Sequence, residues 1–327
     1  MSDIVGIVGA GAWGTALAQV MASARGNALI WAREEEVAAA INDGRENTLF
    51  LPGAKLSPGV RATGDLEDLG ACSALLIVTP SQHLRSTLSM LPEMAAPLLL
   101  CCKGIETGTM ALMSEVAKEV RPNSRVAVLS GPTFAHEVAA GKPTAITLAC
   151  ADDELGQRLA TLVSTPFFRP YMSDDVVGAE IGGAVKNVLA IGCGVVDGAG
   201  LGLNARSALI ARGFAEMRRY GMARGARAET LAGLSGLGDL VLTCSSENSR
   251  NFSLGRGLGQ GQSATELMAG RRTVAEGAHT APVLQSSAQQ LGVEMPIVDA
   301  VCSLLDGSMA VDEVVRTLLS RPLKAER

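Results

Sequence analysis

Aromatic side chains are scarce: two Trp, two Tyr and six Phe make up 3% of 327 residues. So few rings leave little for base-stacking platforms. No basic block or arm stands out, and the formal net charge is −5. A primary nucleic-acid binder is therefore not expected. No run of 18 or more apolar residues occurs, so no membrane partner is expected either. The most apolar helix-like stretch, Val185–Val196, opens next to Lys186 and Asn187 and contains two glycines. It reads as a buried core helix.

Seven cysteines are present, an odd number, with no CxxC pair. That spacing suits neither a disulfide framework nor a zinc site. It fits small buried hydrophobes in a reduced, cytoplasmic setting. The three histidines (His83, His136, His279) form no HxH or HExxH spacing, so no metal is expected. No GxSxG elbow supports a serine hydrolase. The start, Met1-Ser2-Asp3, has no basic n-region, and no secretory leader is expected.

The chain does contain a large apolar fraction, 47%, against 19% charged residues. That supports a sizeable core, and the length suggests two domains. Short apolar runs at Ile4–Val8, Ala28–Trp31, Ala74–Val78, Leu98–Cys102, Arg125–Leu129 and Thr144–Ala149 alternate with helical segments. Such alternation predicts an α/β domain whose parallel sheet is covered on both faces. Beyond about residue 173 the strand pattern stops and the period is helical throughout. The expected division is residues 1–173 for the sheet domain and 174–327 for an all-α domain. Ser245–Ser263 is polar and glycine-rich. It reads as a loop, either a plain flexible one or a mobile one at a ligand site.

Gly9-Ala10-Gly11-Ala12-Trp13-Gly14 matches GxGxxG, directly after an apolar strand and at the opening of a helix. In that context the pattern predicts dinucleotide binding in a Rossmann-like, doubly wound sheet. Gly9 permits the tight turn, Gly11 the approach of the pyrophosphate, and Gly14 close helix–strand packing. The helix start supplies free N–H groups. At the end of the second strand stand Trp31-Ala32-Arg33, with Glu34 adjacent. Arg33 suits a 2′-phosphate, so NADPH is favoured, and NADH stays open.

Lysine is rare, with six residues against 22 arginines. Lys103 ends a strand, where open α/β sheets bind ligands. Lys186 sits in an apolar helix, where a depressed pKa suits proton transfer near neutral pH. Asp239 lies inside the apolar run Gly236–Thr243, and Ser249-Arg250-Asn251 follows. Arg250 is a fork for phosphate, with Ser249 and Asn251 adding neutral hydrogen bonds. Together these residues form an oxyanion-handling set.

Ordered strings along nearly the whole chain then identify a resemblance. They are Gly9–Ala18, Lys103–Glu106, Ser130–Ala135, Glu180–Val188, Gly233–Leu240, Ser249–Asn251, Glu276-Gly277 and Glu294–Ile297. The sequence closely resembles the bacterial NAD(P)-dependent sn-glycerol-3-phosphate dehydrogenases. The resemblance implies Lys186 as proton donor and acceptor. It implies a substrate site of Lys103, Gly131, Thr133, Lys186, Asn187, Asp239, Thr243, Ser249, Arg250 and Asn251. Cofactor contacts would fall on Gly9, Gly11, Ala12, Trp13, Gly14, Arg33, Lys103, Ala135, Arg250, Val274 and Glu276. It further implies NAD or NADP as cofactor, reduction of dihydroxyacetone phosphate for phospholipid synthesis, and a homodimer. The rival readings are a related two-domain dehydrogenase acting on another hydroxy acid, and a non-catalytic NAD(P)-sensing regulator. Within the expected mechanism, Asn187 and Asp239 hold Lys186 and the substrate hydroxyl, and Arg250 with Lys103 fixes the phosphate.

Overall fold

The computed structural model describes residues 4–269, 275–320 and 322. Eight strands form one sheet: β1 (Val5–Val8), β2 (Ala28–Trp31), β3 (Val60–Thr63), β4 (Ala74–Ile77), β5 (Leu98–Leu100), β6 (Val126–Ser130), β7 (Thr144–Ala149) and β8 (Phe168–Ser173). Their spatial order is β3-β2-β1-β4-β5-β6-β7-β8. Six helices accompany them: α1 (Ala12–Arg25), α2 (Glu35–Ala39), α3 (Leu84–Met90), α4 (Met113–Val120), α5 (Ala135–Ala139) and α6 (Asp153–Val163). The chain order reverses between β1 and β4, which makes that edge the topological switch point.

The alternation of side chains along the central strands builds two cores. Ile7, Leu76 and Leu99 pack with Leu17 and Met21 of α1 and Leu159 and Val163 of α6. Val8, Leu75, Ile77, Leu98 and Leu100 point the other way, onto Leu84 and Leu88 of α3 and Val116 of α4. Strands enclosed on both faces have no polar positions, which is why they read as unbroken apolar runs.

Two expectations need correction. The sheet is not wholly parallel: β7 runs antiparallel to β6, and β8 then pairs parallel to β7. β3 and β8 lie at the two edges and leave no apolar run, because each is part-exposed.

The second correction concerns Ser245–Ser263. After β8 the chain is helical: α7 (Val176–Gly198), α8 (Gly202–Ala223), α9 (Ala228–Ala232), α10 (Asp239–Cys244), α11 (Arg250–Gly259), α12 (Ala264–Ala269), α13 (Glu276–Gln290), α14 (Pro296–Leu305) and α15 (Val311–Leu319). Much of the expected loop is helix α11. Three glycines in ten residues disfavour a helix by about 1 kcal/mol each. Tertiary packing reverses that preference. A Cβ on Gly255 would lie 1.9 Å from the Ile191 carbonyl oxygen, and one on Gly194 would lie 2.0 Å from that of Phe252. The two backbones touch, and only glycine leaves room for the contact.

Helix α7 is the axis of this half, surrounded by α8, α10, α11, α13 and α14. By length and hydropathy it could cross a membrane, yet 89% of its apolar window is buried in the protein. Its N-cap, Asp175, accepts from the Gly178 N–H at 2.8 Å.

Gly255→Ala is expected to lower unfolding free energy by about 1–3 kcal/mol, because a methyl group must be forced between two backbones. Gly44→Ala, where a Cβ would meet nothing within 4 Å, should be neutral. Urea titrations of both variants check this.

Candidate active site

The glycine turn is built as a dinucleotide cradle requires. Gly9 adopts φ +112°, outside the range of ordinary side chains. A Cβ on Gly14 would lie 1.9 Å from the Gly9 carbonyl oxygen, so helix and turn are in backbone contact. A Cβ on Gly11 would meet nothing within 4 Å, so its face is open to a ligand. Gly11 is also the N-cap of α1 and offers no side-chain acceptor to the free N–H groups behind it. The buried Trp13 Nε1 has no hydrogen-bond partner among the described residues. An anionic ligand with further acceptors fits this donor set.

Beneath the turn lies a brace that the sequence did not disclose. The Asn47 amide donates to the Ala10 carbonyl and to Thr15 Oγ1, each at 2.8 Å. Asn47 is fully buried, yet in sequence it looks like any loop asparagine.

At the end of β2, Arg33 is largely exposed and donates to Glu34 at 3.0 Å. This is the adenosine end of the switch point, and the pair presents both a cation and an acid there.

On the other side of the switch point the two lysines converge. Lys103 follows β5 and crosses α7 at Gly183, where a Cβ would come within 3.2 Å of the lysine Cγ. Lys103 Nζ reaches Asp239 Oδ2 at 2.6 Å and the Gly131 carbonyl at 3.1 Å. Lys186 Nζ, from the middle of α7, reaches Asp239 Oδ1 at 2.9 Å and Thr243 Oγ1 at 2.9 Å. One carboxylate therefore serves two ammonium groups. Asp239 itself is fully buried. Burial alone would raise its pKa, but Lys103 and Lys186 outweigh that and hold it below the usual carboxylate range. For Lys186 the balance goes the other way. Burial, with repulsion from Lys103, outweighs the attraction of Asp239 and brings its pKa down to about 8.

Asn187 does not make the expected hold on Lys186. It makes no bond to Lys186, because its Oδ1 accepts from Asn251 Nδ2 at 3.0 Å. Asn251 Oδ1 in turn accepts from the Gly277 N–H at 2.9 Å. Successive residues on α7 point about 100° apart, so Lys186 and Asn187 face different neighbours. The asparagines tie α7, α11 and α13 together. Ser249 likewise acts as the N-cap of α11, accepting from the Phe252 N–H at 3.2 Å. Arg250 opens α11 and lies in the field of Glu276. Thr133 and Ala135 follow β6 beside Gly131, with Thr133 Oγ1 donating to the Gly131 carbonyl at 3.3 Å. Val274 lies outside the described residues.

Glu180 is a buried residue that sequence reasoning did not single out for a role. From α7 it accepts from the Ser114 N–H at 2.7 Å and from Ser114 Oγ at 2.6 Å, capping α4 across the two halves. Burial pushes its carboxyl up to about 7, against the pull of those bonds. Among the described residues no three His, Cys, Asp or Glu side chains converge as a metal site would need.

This geometry has known counterparts. Residues 4–156 match the model described as NAD-dependent glycerol-3-phosphate dehydrogenase N-terminus, and residues 175–316 match its C-terminus. The chain belongs to the NAD-dependent glycerol-3-phosphate dehydrogenase family. It is 61% identical to glycerol-3-phosphate dehydrogenase [NAD(P)+] of Erythrobacter litoralis, covering 100% of this chain and 98% of that one. It is 62% identical to the protein of the same name from Novosphingobium aromaticivorans, covering 100% and 99%. Among solved structures it is similar to glycerol-3-phosphate dehydrogenase of Coxiella burnetii, with TM-score 0.92 and 35% identity over 97% of this chain and 99% of that one.

Asp239→Asn should destabilise the fold by on the order of 3–5 kcal/mol at pH 6, where it leaves the buried Lys186 and the part-buried Lys103 without their carboxylate. The loss should be smaller at pH 9, because Lys186 has then shed its proton. Chemical denaturation at both pH values tests the sign.

Proposed function

We infer that the chain reduces dihydroxyacetone phosphate to sn-glycerol 3-phosphate with NADPH or NADH, reversibly. One observation carries this reading: Lys186, with its lowered pKa, is held by Asp239 at the end of a sheet that carries a dinucleotide cradle. Bound nicotinamide supplies the hydride for the C2 carbonyl. Everything else falls to the side chains. As C2 is reduced, negative charge grows on its oxygen. The Lys186 ammonium stabilises that charge and donates the proton. In the reverse direction neutral Lys186 takes the proton from the hydroxyl. Asp239 and Thr243 fix the direction of Nζ. Arg250 provides the fork for the phosphate, and Lys103 adds charge beside it. Anchoring the phosphate aligns the carbonyl a few bonds away.

We assign residues 1–173 to the cofactor and 174–327 to substrate and catalysis, with the reacting groups meeting where Lys103 touches Asp239. The remaining assignments rest on the family. They are a homodimer, a cytoplasmic setting, and supply of glycerol phosphate for phospholipid synthesis. A non-catalytic sensor would have no use for two lysines sharing a carboxylate.

Lys186→Ala should lower kcat by about 10²- to 10⁴-fold while NADPH still binds, because only the proton transfer is lost. In the wild type, ketone reduction needs the ammonium and should decline as pH rises through about 8. Alcohol oxidation needs the free amine and should rise over the same range. Absorbance at 340 nm in both directions measures this. No turnover with any ketone, despite NADPH binding, would leave the sensor as the better reading.

Arg33→Ala should cost about tenfold or more in kcat/KM for NADPH, the loss of a charge-assisted contact, and under twofold for NADH.

A further inference from the structure

Ser81 lies just past β4, at the switch point, and is 1% exposed. Its Oγ reaches Glu276 Oε2 at 2.7 Å. Glu276 is the first residue of α13, so this bond crosses from the sheet half to the helical half. The direction of the bond is fixed by its surroundings. The Gln82 amide points a donor at Ser81 Oγ, 3.5 Å away, while also donating to the Ile105 carbonyl at 2.8 Å. The Ser81 proton is left to serve Glu276. On the β5 side, Gly104 leaves the space the hydroxyl needs, since a Cβ there would stand 2.3 Å from Ser81 Oγ.

Glu276 is set among charges. Arg250 from α11 and His279 from α13 act on it, and Cys102 after β5 feels its field. Burial raises its carboxyl above the ordinary range, and the Ser81 bonds pull it back toward the ionised state. The half of a doubly wound sheet that begins at β4 faces the nicotinamide end of a bound dinucleotide. A carboxyl group fixed at that edge offers an acceptor oxygen for a ribose hydroxyl or a carboxamide N–H.

We propose that Ser81 is a positioning residue for the cofactor, holding the Glu276 carboxylate in the orientation that accepts a donor from the nicotinamide half. The proposal rests on the dehydrogenase reading and on Glu276 facing the cofactor. It adds that affinity for the cofactor depends on a serine that itself touches none of it.

The test is a double-mutant cycle on the full-length enzyme, reading KM for NADPH, kcat and the pH dependence of that KM. Ser81→Ala should raise KM about five- to tenfold with kcat within twofold, as expected for weakening one charge-assisted contact. In a Glu276→Ala background the same change should add less than twofold. In the wild type KM should climb as pH falls and Glu276 gains a proton. In Ser81→Ala the midpoint of that climb should move to higher pH, because the ionised form has lost a donor. Ser81→Cys, a weaker donor of similar bulk, should fall between the two and covers the case that Ser81→Ala fails to fold. An unchanged KM in Ser81→Ala, or full additivity with Glu276→Ala, overturns the proposal. If Glu276→Ala alone leaves KM unchanged, Glu276 does not face the cofactor and the proposal falls with it. Wild-type turnover would meanwhile keep the dehydrogenase reading intact.

Discussion

One carboxylate placed between two ammonium groups organises this protein. Asp239 is fully buried and bonded to Lys103 on one oxygen and Lys186 on the other. A buried charge left alone costs several kcal/mol, so each member depends on the others being in place. Lys103 comes from the sheet half, and Lys186 and Asp239 from the helical half. The electrostatic demand of the cluster therefore also sets how the halves meet. For Lys186, burial together with the Lys103 charge outweighs the attraction of Asp239. That imbalance, rather than any single neighbour, brings an amine into the range where it can exchange a proton near neutral pH.

The seam between the halves is held at more than this cluster. Glu180 caps α4 through Ser114, and Arg224, just past the end of α8, pairs with Glu115 at 3.0 Å. Ser81 reaches Glu276 across the same two halves. These ties are short and polar. Hydrogen bonds with defined directions suit a seam that must fix distances between groups on separate units.

Much of this was legible in the sequence, for physical reasons. Strands enclosed on both faces have to be apolar throughout, so β1, β2, β4, β5, β6 and β7 announced themselves. The edge strands β3 and β8 do not have to be, and they did not. Lys103, Lys186 and Asp239 stood out because charge is costly inside apolar runs. Their mutual contacts did not, since pairing across the halves has no local signature. Asn47, Ser81 and Ser114 are small polar residues in ordinary settings, and only the fold reveals what they hold. Asn187 adjoins Lys186 in the chain, which suggested a shared task, but helical rotation gives it a different neighbour. Helix α11 is the clearest conflict between local preference and tertiary demand. Its glycines argued for a loop, and its packing requires them in a helix.

That glycine seam also acts as a ruler. Where side chains separate two helices, a small slide can be absorbed by a change of rotamer. Here carbonyl oxygens of α7 and α11 sit directly against the opposing backbone, with no deformable layer between them. A slide of one residue would move α11 by about 1.5 Å. It would break the link from Asn187 through Asn251 to Gly277 and displace Arg250 at the start of α11. The relative placement of α7 and α11 is thus recorded in main-chain atoms, which mutation of side chains elsewhere cannot easily rewrite.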